Sequence, residues 1–250
     1  MKTPDILYED DHLIVCLKPA GIPSQSGRSR TPDMVSQLKT MLVRRQRSQS
    51  MPPANGSSHR QSQPPYLAVV HRLDQPVGGI MVYAKSREAA AGLSAQLKKH
   101  QFSKNYKAII TCPFPAQEPL SGTLEDYLAC DPLTNLSKIV PKGTKDAKSA
   151  VLSYRLEQVH PKLPLSLLDI HLETGRHHQI RAQLACHFAP LLGDVKYGFS
   201  DVAGMPSCMP GEIGLFACRL AFTHPITGET MTFKRLPKES LFSVFEAVHV

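Results

Sequence analysis

The sequence predicts an α+β fold with a mixed, largely antiparallel central sheet and flanking helices, and three observations predict it. Short apolar segments, many alternating with a period of two, recur along most of the chain. Most are joined by brief turn sequences such as Asp131-Pro132 and Lys142-Gly143, which suit antiparallel neighbours. Segments with helical spacing are few and scattered, so they can cover a sheet but cannot form a bundle.

Taken in order, Leu13 to Leu17 reads as a strand ending in a turn at Lys18-Pro19-Ala20-Gly21. A short helical pattern follows from Met34 to Val43. From Arg44 to Pro65 the chain is rich in Arg, Gln, Ser and Pro and nearly free of apolar residues. Such a stretch cannot bury enough surface to offset its ordering entropy, so it is expected to be a flexible insertion. Tyr66 to Val70 and Gly79 to Ala84 are strands joined through residues 71–78. Arg87 to His100 is a helix: Ala90, Leu93 and Leu97 share a face, and Lys98 and Lys99 suit its last turn. Tyr106 to Thr111 is a strand, Ser121 to Glu157 holds three more, and Leu165 to Leu172 alternates as another. His178 to Phe188 reads as a helix. Strands Leu215 to Phe222 and Thr230 to Arg235 turn at residues 225–228, and a short helix is expected after Pro237.

The 250 residues show no fixed repeat and no second segment with its own core pattern, so residues 1–250 are expected to form one domain carrying the insertion at 44–65. Hydrophobic residues make up 42% of the chain and Trp is absent, which implies a mainly aliphatic core. Lys and Arg outnumber Asp and Glu by 29 to 21, a balance that fits a polyanionic partner such as nucleic acid or an anionic membrane surface. An ordinary basic soluble protein would have the same charge. The six cysteines form no CxxC pair and sit mostly in apolar segments, as reduced buried thiols would. The acidic residues Asp5, Glu9, Asp10 and Asp11 do not suit a signal peptide. No apolar run approaches the ~20 residues needed to cross a bilayer. The expectation is a soluble, cytoplasmic protein without a membrane partner.

Two segments carry chemistry. Residues 71–79, His-Arg-Leu-Asp-Gln-Pro-Val-Gly-Gly, form a loop between apolar strands and present the carboxylate of Asp74 beside His71 and Arg72. Residues 173–181, Glu-Thr-Gly-Arg-His-His-Gln-Ile-Arg, run from a strand end into a helix N-terminus, where backbone amides favour anions. Arg176 and Arg181, five apart, cannot both point one way on a regular helix. One can face phosphate and the other the interior. A buried Arg needs a carboxylate partner, and Asp74 is a candidate. The pairing would keep Asp74 ionised, since a cation within ~4–6 Å favours the carboxylate, and an ionised carboxylate can act as a nucleophile. His177, His178, Cys186 and His187 match neither a structural zinc spacing nor HExxH, so no metal is expected.

In this order, Lys18-Pro19-Ala20-Gly21, His71-Arg72-Leu73-Asp74, Gly79 through Ala84-Lys85, Lys104-Asn105-Tyr106-Lys107-Ala108, Thr174 to Arg181, Leu192-Gly193-Asp194 with Tyr197-Gly198, and Leu215-Phe216-Ala217 leading to Phe222-Thr223-His224-Pro225 resemble the RluA family of pseudouridine synthases over nearly the whole chain. The resemblance implies isomerisation of uridine in RNA, rRNA or tRNA, to its C-glycoside without metal or organic cofactor; a monomer is the default expectation. Asp74 would be the catalytic aspartate, attacking C1′ of the ribose or assisting elimination to a glycal. Arg181 would pair with it. Tyr106 would stack on uracil and take part in removing the C5 proton. Arg72 would fill the space left by the flipped nucleotide. Leu215 would wall the pocket, and Arg176 and His178 would contact RNA.

Two departures stand out. Val77-Gly78-Gly79 occupies the place of the family's frequent Thr-Ser-Gly, and the chain starts at the catalytic pattern without the small N-terminal RNA-binding domain of some relatives. RNA selection would then fall to the catalytic domain, with Arg44, Arg45, Arg47 and Arg60 of the insertion available to phosphates. The alternatives are a non-catalytic RNA-binding or RNA-folding factor on the same fold, and a metal-dependent hydrolase using the His cluster. The combination of Asp74, Tyr106 and Arg181 argues against the first, and the spacing against the second. No role for His71 follows from the sequence.

Overall fold

The structure, a computed structural model, describes residues 4–25, 32–49, 64–200, 211–237 and 241–246. Its strands are β1 (Asp5–Glu9), β2 (Leu13–Lys18), β3 (Ala68–Val69), β4 (Gly78–Ala84), β5 (Ser103–Ile110), β6 (Ser121–Asp131), β7 (Leu136–Ile139), β8 (Lys148–Val159), β9 (Ser166–Leu172), β10 (Leu215–Thr223) and β11 (Thr230–Lys234). The helices are α1 (Met34–Gln49), α2 (Arg87–Lys98), α3 (Gln179–His187) and the short α4 (Ser243–Glu246). All the strands belong to one 11-stranded sheet in the order β1-β2-β4-β10-β5-β9-β8-β6-β7, with β11 added to β10 and β3 to β4.

Neighbours pair antiparallel except β10 with β4, which run parallel through Phe216–Gly78 and Ala217–Gly79. The expected mixed, largely antiparallel α+β architecture is therefore what forms. The parallel contact matters because it lies just beyond residue 74. Gly79 has φ +132°, and a Cβ there would stand 2.5 Å from the backbone N and O of Ala217. Only glycine lets β10 come this close.

The helices pack where their apolar faces predict. Met34, Leu38, Met41 and Leu42 of α1 are buried in one core with Met81, Tyr83, Tyr106, Ile170 and Leu184. Helix α2 starts at Ser86, whose side chain accepts the Ala89 amide at 3.1 Å. It buries Ala89 and Leu93 against Ile80, Val82 and Leu220, with Ala90 and Leu97 alongside. Strand β9 buries Ser166, Leu168, Ile170 and Leu172, the even half of its alternation.

Three local expectations change. Strand β1 was not legible: its side chains are only partly buried at the sheet edge and carry no alternating pattern. The strand expected over residues 66–70 shrinks to Ala68–Val69. Helix α1 continues to Gln49, so the first residues of the expected insertion are helical rather than loop. Arg and Gln are good helix formers even without apolar cover, and Arg45 gains an ion pair with Glu9 at 2.5 Å. Residues 50–63, including Arg60, lie outside the described residues.

Candidate active site

The loop carrying Asp74 is stapled to the turn that follows β2. The Ser24 hydroxyl donates to the Leu73 carbonyl at 2.7 Å and accepts the Leu73 amide at 3.1 Å. The Gly21 amide donates to the Gln75 carbonyl at 2.9 Å, and the Gln75 side chain returns a bond to the Gly21 carbonyl at 3.0 Å. Buried Lys18 places its three protons on the carbonyls of Pro19, Ile22 and Gln75 at 3.0, 2.6 and 3.0 Å. Burial pushes the Lys18 pKa down to about 7, and the charge of Asp74 opposes that shift. Val77 then closes the loop by donating its amide to the Asp74 carbonyl at 3.0 Å and burying its side chain. An apolar residue at that position thus packs in the core rather than lining the loop with a hydroxyl.

The second half of the site comes from α3. Arg181 is 4% exposed at its side chain and Asp194 1%, and they form two parallel bonds, Nε to Oδ2 and Nη2 to Oδ1, both at 2.7 Å. Nη1 of Arg181 reaches Oδ2 of Asp74 at 3.2 Å. The expected Asp74–Arg181 contact therefore forms, but the bidentate carboxylate on Arg181 is Asp194. Asp194 appeared within a motif and received no role. The demand of a buried guanidinium for more than one acceptor was the signal that could have found it.

His178 supplies a further contact to the same oxygen. It lies at the helix entry in the left-handed region, with φ 50° and ψ 26°. Its Nε2 is 3.5 Å from Asp74 Oδ2, and its Nδ1 is 3.1 Å from the Tyr197 hydroxyl. That hydroxyl accepts the Ser137 amide at 2.8 Å. Its one proton goes either to the Ser137 carbonyl at 3.3 Å or to His178 Nδ1; in the second arrangement His178 carries its proton on Nε2, facing Asp74. The opposite tautomer would set a lone pair against a carboxylate. Tyr197 also offers its ring face to Arg181, with the guanidinium carbon 5.1 Å from the centroid. Both neighbours thus converge on Oδ2 of Asp74, and no hydrogen bond to Oδ1 occurs among the described residues. The Asp74 side chain is 29% exposed.

Tyr106 lies on β5, paired with Ala217 and Ile170, and is 7% exposed. Burial, and then the charge of Asp74, raises its pKa above the ordinary phenol value. Leu215 is buried on the same core with Tyr106, Leu73 and Val77. Arg72 is exposed, and its charge reaches His177. His178 is buried against Asp74, and Arg176 spends its Nε on the Ser149 carbonyl at 2.7 Å because that β8 acceptor lies beside the loop. The His cluster also disperses. His177 stacks on His178 at 3.8 Å and contacts Ser137, while His187 pairs with Asp126 at 3.0 Å.

His71 now gains a structural role. Its Nε2 accepts the Val82 amide at 3.1 Å, which requires a neutral ring. Burial lowers its pKa to about 3 and that of His178 to about 4. In the unfolded chain both would protonate near pH 6.5. Between that pH and the folded values the unfolded state binds more protons, so stability is present above pH 6.5 and is lost as pH falls. Urea titrations between pH 7 and 5 should show a loss of about 1 kcal/mol per pH unit for each histidine. His71→Gln should remove about half of this dependence, leaving the share of His178; an unchanged slope would contradict the neutral ring.

The profile of the RNA pseudouridylate synthase family matches residues 12–186. The chain is 31% identical over 235 residues to ribosomal large subunit pseudouridine synthase D of Zymomonas mobilis, covering 92% of this chain and 68% of that protein. It is 30% identical to tRNA pseudouridine synthase C of Yersinia pestis, covering 91% of this chain and 84% of that protein. Against four of the curated relatives the chain spans between 61% and 68% of their length. The fold is similar to that of human RNA pseudouridylate synthase domain containing 4, with a TM-score of 0.67 at 20% identity over 98% of this chain and 93% of the other.

Proposed function

The chain belongs to the RNA pseudouridylate synthase family, and we propose that it isomerises uridines in folded ribosomal or transfer RNA to pseudouridine. The observation that carries this reading is the asymmetric hold on Asp74: Arg181 and His178 both meet Oδ2, and no hydrogen bond to Oδ1 occurs among the described residues. Oδ1 is the atom assigned to attack C1′, or to take the C2′ proton in an elimination. Either step breaks the glycosidic bond to N1 and releases the uracil as an anion, which rotates. C5 then bonds C1′, breaking the Asp74–C1′ bond in the first route or adding to the glycal as Asp74 returns the C2′ proton in the second. Finally C5 loses its proton while N1 gains one.

Tyr106 offers uracil a flat, buried surface. Its phenol is kept protonated first by burial and then by the charge of Asp74. When Asp74 enters a covalent bond or takes up a proton, the second influence disappears and the phenol becomes more acidic than in the free site, the direction that C5 deprotonation needs. Leu215 walls the pocket, and Arg72, exposed at the rim, fills the gap left by the flipped base. Arg176 keeps its remaining guanidinium nitrogens for the RNA side.

The reaction changes no oxidation state, and its charged groups are side chains of this chain, so the reading includes neither metal nor organic cofactor. One domain, acting as a monomer, suffices, since Asp74, Tyr106 and Arg181 come from a single sheet and its helix. No helix among the described residues is long and apolar enough to cross a membrane. The free cysteines 16, 112, 130, 186 and 218 fit a reducing cytoplasm. Mapping pseudouridines across total RNA from cells with and without the gene tests the proposal. One or a few sites in rRNA or tRNA should vanish and return with the wild-type gene. Identical maps would overturn it.

A further inference from the structure

Lys104 is a buried-side cation that the mechanism above does not use. It lies two residues before Tyr106 on β5 and so faces the same side of the sheet. It is half-buried, yet among the described residues its ammonium meets no carboxylate within ion-pair distance. A Cβ on Gly175 would stand 3.2 Å from the Lys104 Nζ. Its charge also reaches His71. The ammonium therefore sits in the crevice between the loop that carries Asp74 and the loop that leads to Arg181, with Tyr106 next along the strand.

Burial lowers the Lys104 pKa, and no neighbouring acid offsets that influence. An ammonium desolvated without a partner is costly to the free protein, and an anion entering the crevice would relieve that cost. Gly175 keeps the entrance open, since any side chain there would crowd the Nζ atom. No hydrogen bond from the Gly175 amide is formed among the described residues, so it is available as a second donor. A phosphate bound here would bridge the two loops beside the uracil surface.

We propose that Lys104 and the Gly175 amide form a phosphate subsite, holding a backbone phosphodiester next to the flipped uridine. The proposal rests on the RNA-modifying reading and names a contact that fixes the substrate chain rather than the base. A phosphate contact positions RNA without reading its sequence, so Lys104 is a binding residue and not a selectivity residue.

The test is anisotropy titration of a fluorescein-labelled RNA stem-loop with a uridine loop, from about 50 to about 200 mM KCl. Lys104→Met should weaken binding and reduce the slope of log K against log salt by about 0.7–0.9, the share of one phosphate contact. Lys104→Arg should keep the slope. The melting temperature of Lys104→Met without RNA should equal or exceed that of the wild type, because a desolvated charge has been removed. Lys104→Gln provides a second neutral variant should the first fold poorly. An unchanged slope in both neutral variants overturns the subsite. Inorganic phosphate at matched ionic strength that raises the wild-type melting temperature, but not that of Lys104→Met, would make a free anion the occupant and overturn the assignment to RNA. If no protein in the series isomerises uridine but the slope still falls, the enzymatic reading fails and the phosphate subsite stands.

Discussion

Replacing Asp74 with Asn should lower pseudouridine formation by roughly four orders of magnitude or more, as loss of a nucleophile does elsewhere, while RNA binding and stability stay near wild type. Asn keeps the shape of the side chain but loses the charge that Oδ1 needs, either to bond C1′ or to take the C2′ proton. The rest of the site is insulated from the change. Arg181 retains both bonds to Asp194 at 2.7 Å, so its charge remains compensated. His178 retains the Tyr197 hydroxyl, and the backbone of the loop is held by Ser24, Gly21 and Lys18 rather than by the carboxylate. Tritium release from RNA labelled at C5 of uridine measures the loss, and anisotropy with unlabelled competitor measures binding. Full activity in this variant would end the assignment of Asp74 as the reacting group.

The second large effect is on stability. Asp194→Ala should cost about 3–5 kcal/mol, because it leaves the buried guanidinium of Arg181 with the 3.2 Å contact to Asp74 as its one carboxylate partner among the described residues. The orphaned Arg181 would also draw Asp74 toward itself and take its oxygen out of line for attack, so activity should fall with stability. A structural and a chemical role separate in a double variant. Arg181→Met combined with Asp194→Leu removes both charges together, and apolar replacement of a buried pair is often neutral or stabilising. Urea unfolding of the double variant should recover most of the lost stability, and tritium release should remain absent. Recovery of activity would reduce the pair to a packing element.

Much of the fold was legible because its strands are either alternating or continuously apolar. Strands β9 and β4 show the two cases: one buries every second residue and the other buries all seven. β1 escaped because an edge strand covered on one side by partly buried residues carries no such code. In the site, Asp74, Tyr106 and Arg181 were readable from the motifs, yet their supports were not. Ser24, Tyr197 and Asp194 act through contacts that cross long stretches of chain, and no local spacing reports which hydroxyl will clamp which carbonyl. His178 shows a different limit. Its backbone takes a left-handed turn into the helix and its ring is buried beside Asp74, a conformation that no spacing in the sequence announces.

Strand β10 has one more consequence. It occupies the middle of the sheet, with β4 on one side and β5 on the other, although both of those strands precede it by a long stretch of sequence. During synthesis, the piece bearing Asp74 and the piece bearing Tyr106 therefore leave the ribosome as neighbours in sequence with an empty slot between them. They cannot meet until residues 215–223 arrive to fill it. Pairings of this range are slow to close. The nascent chain thus carries no assembled centre until residues 215–223 have been made and have entered the sheet.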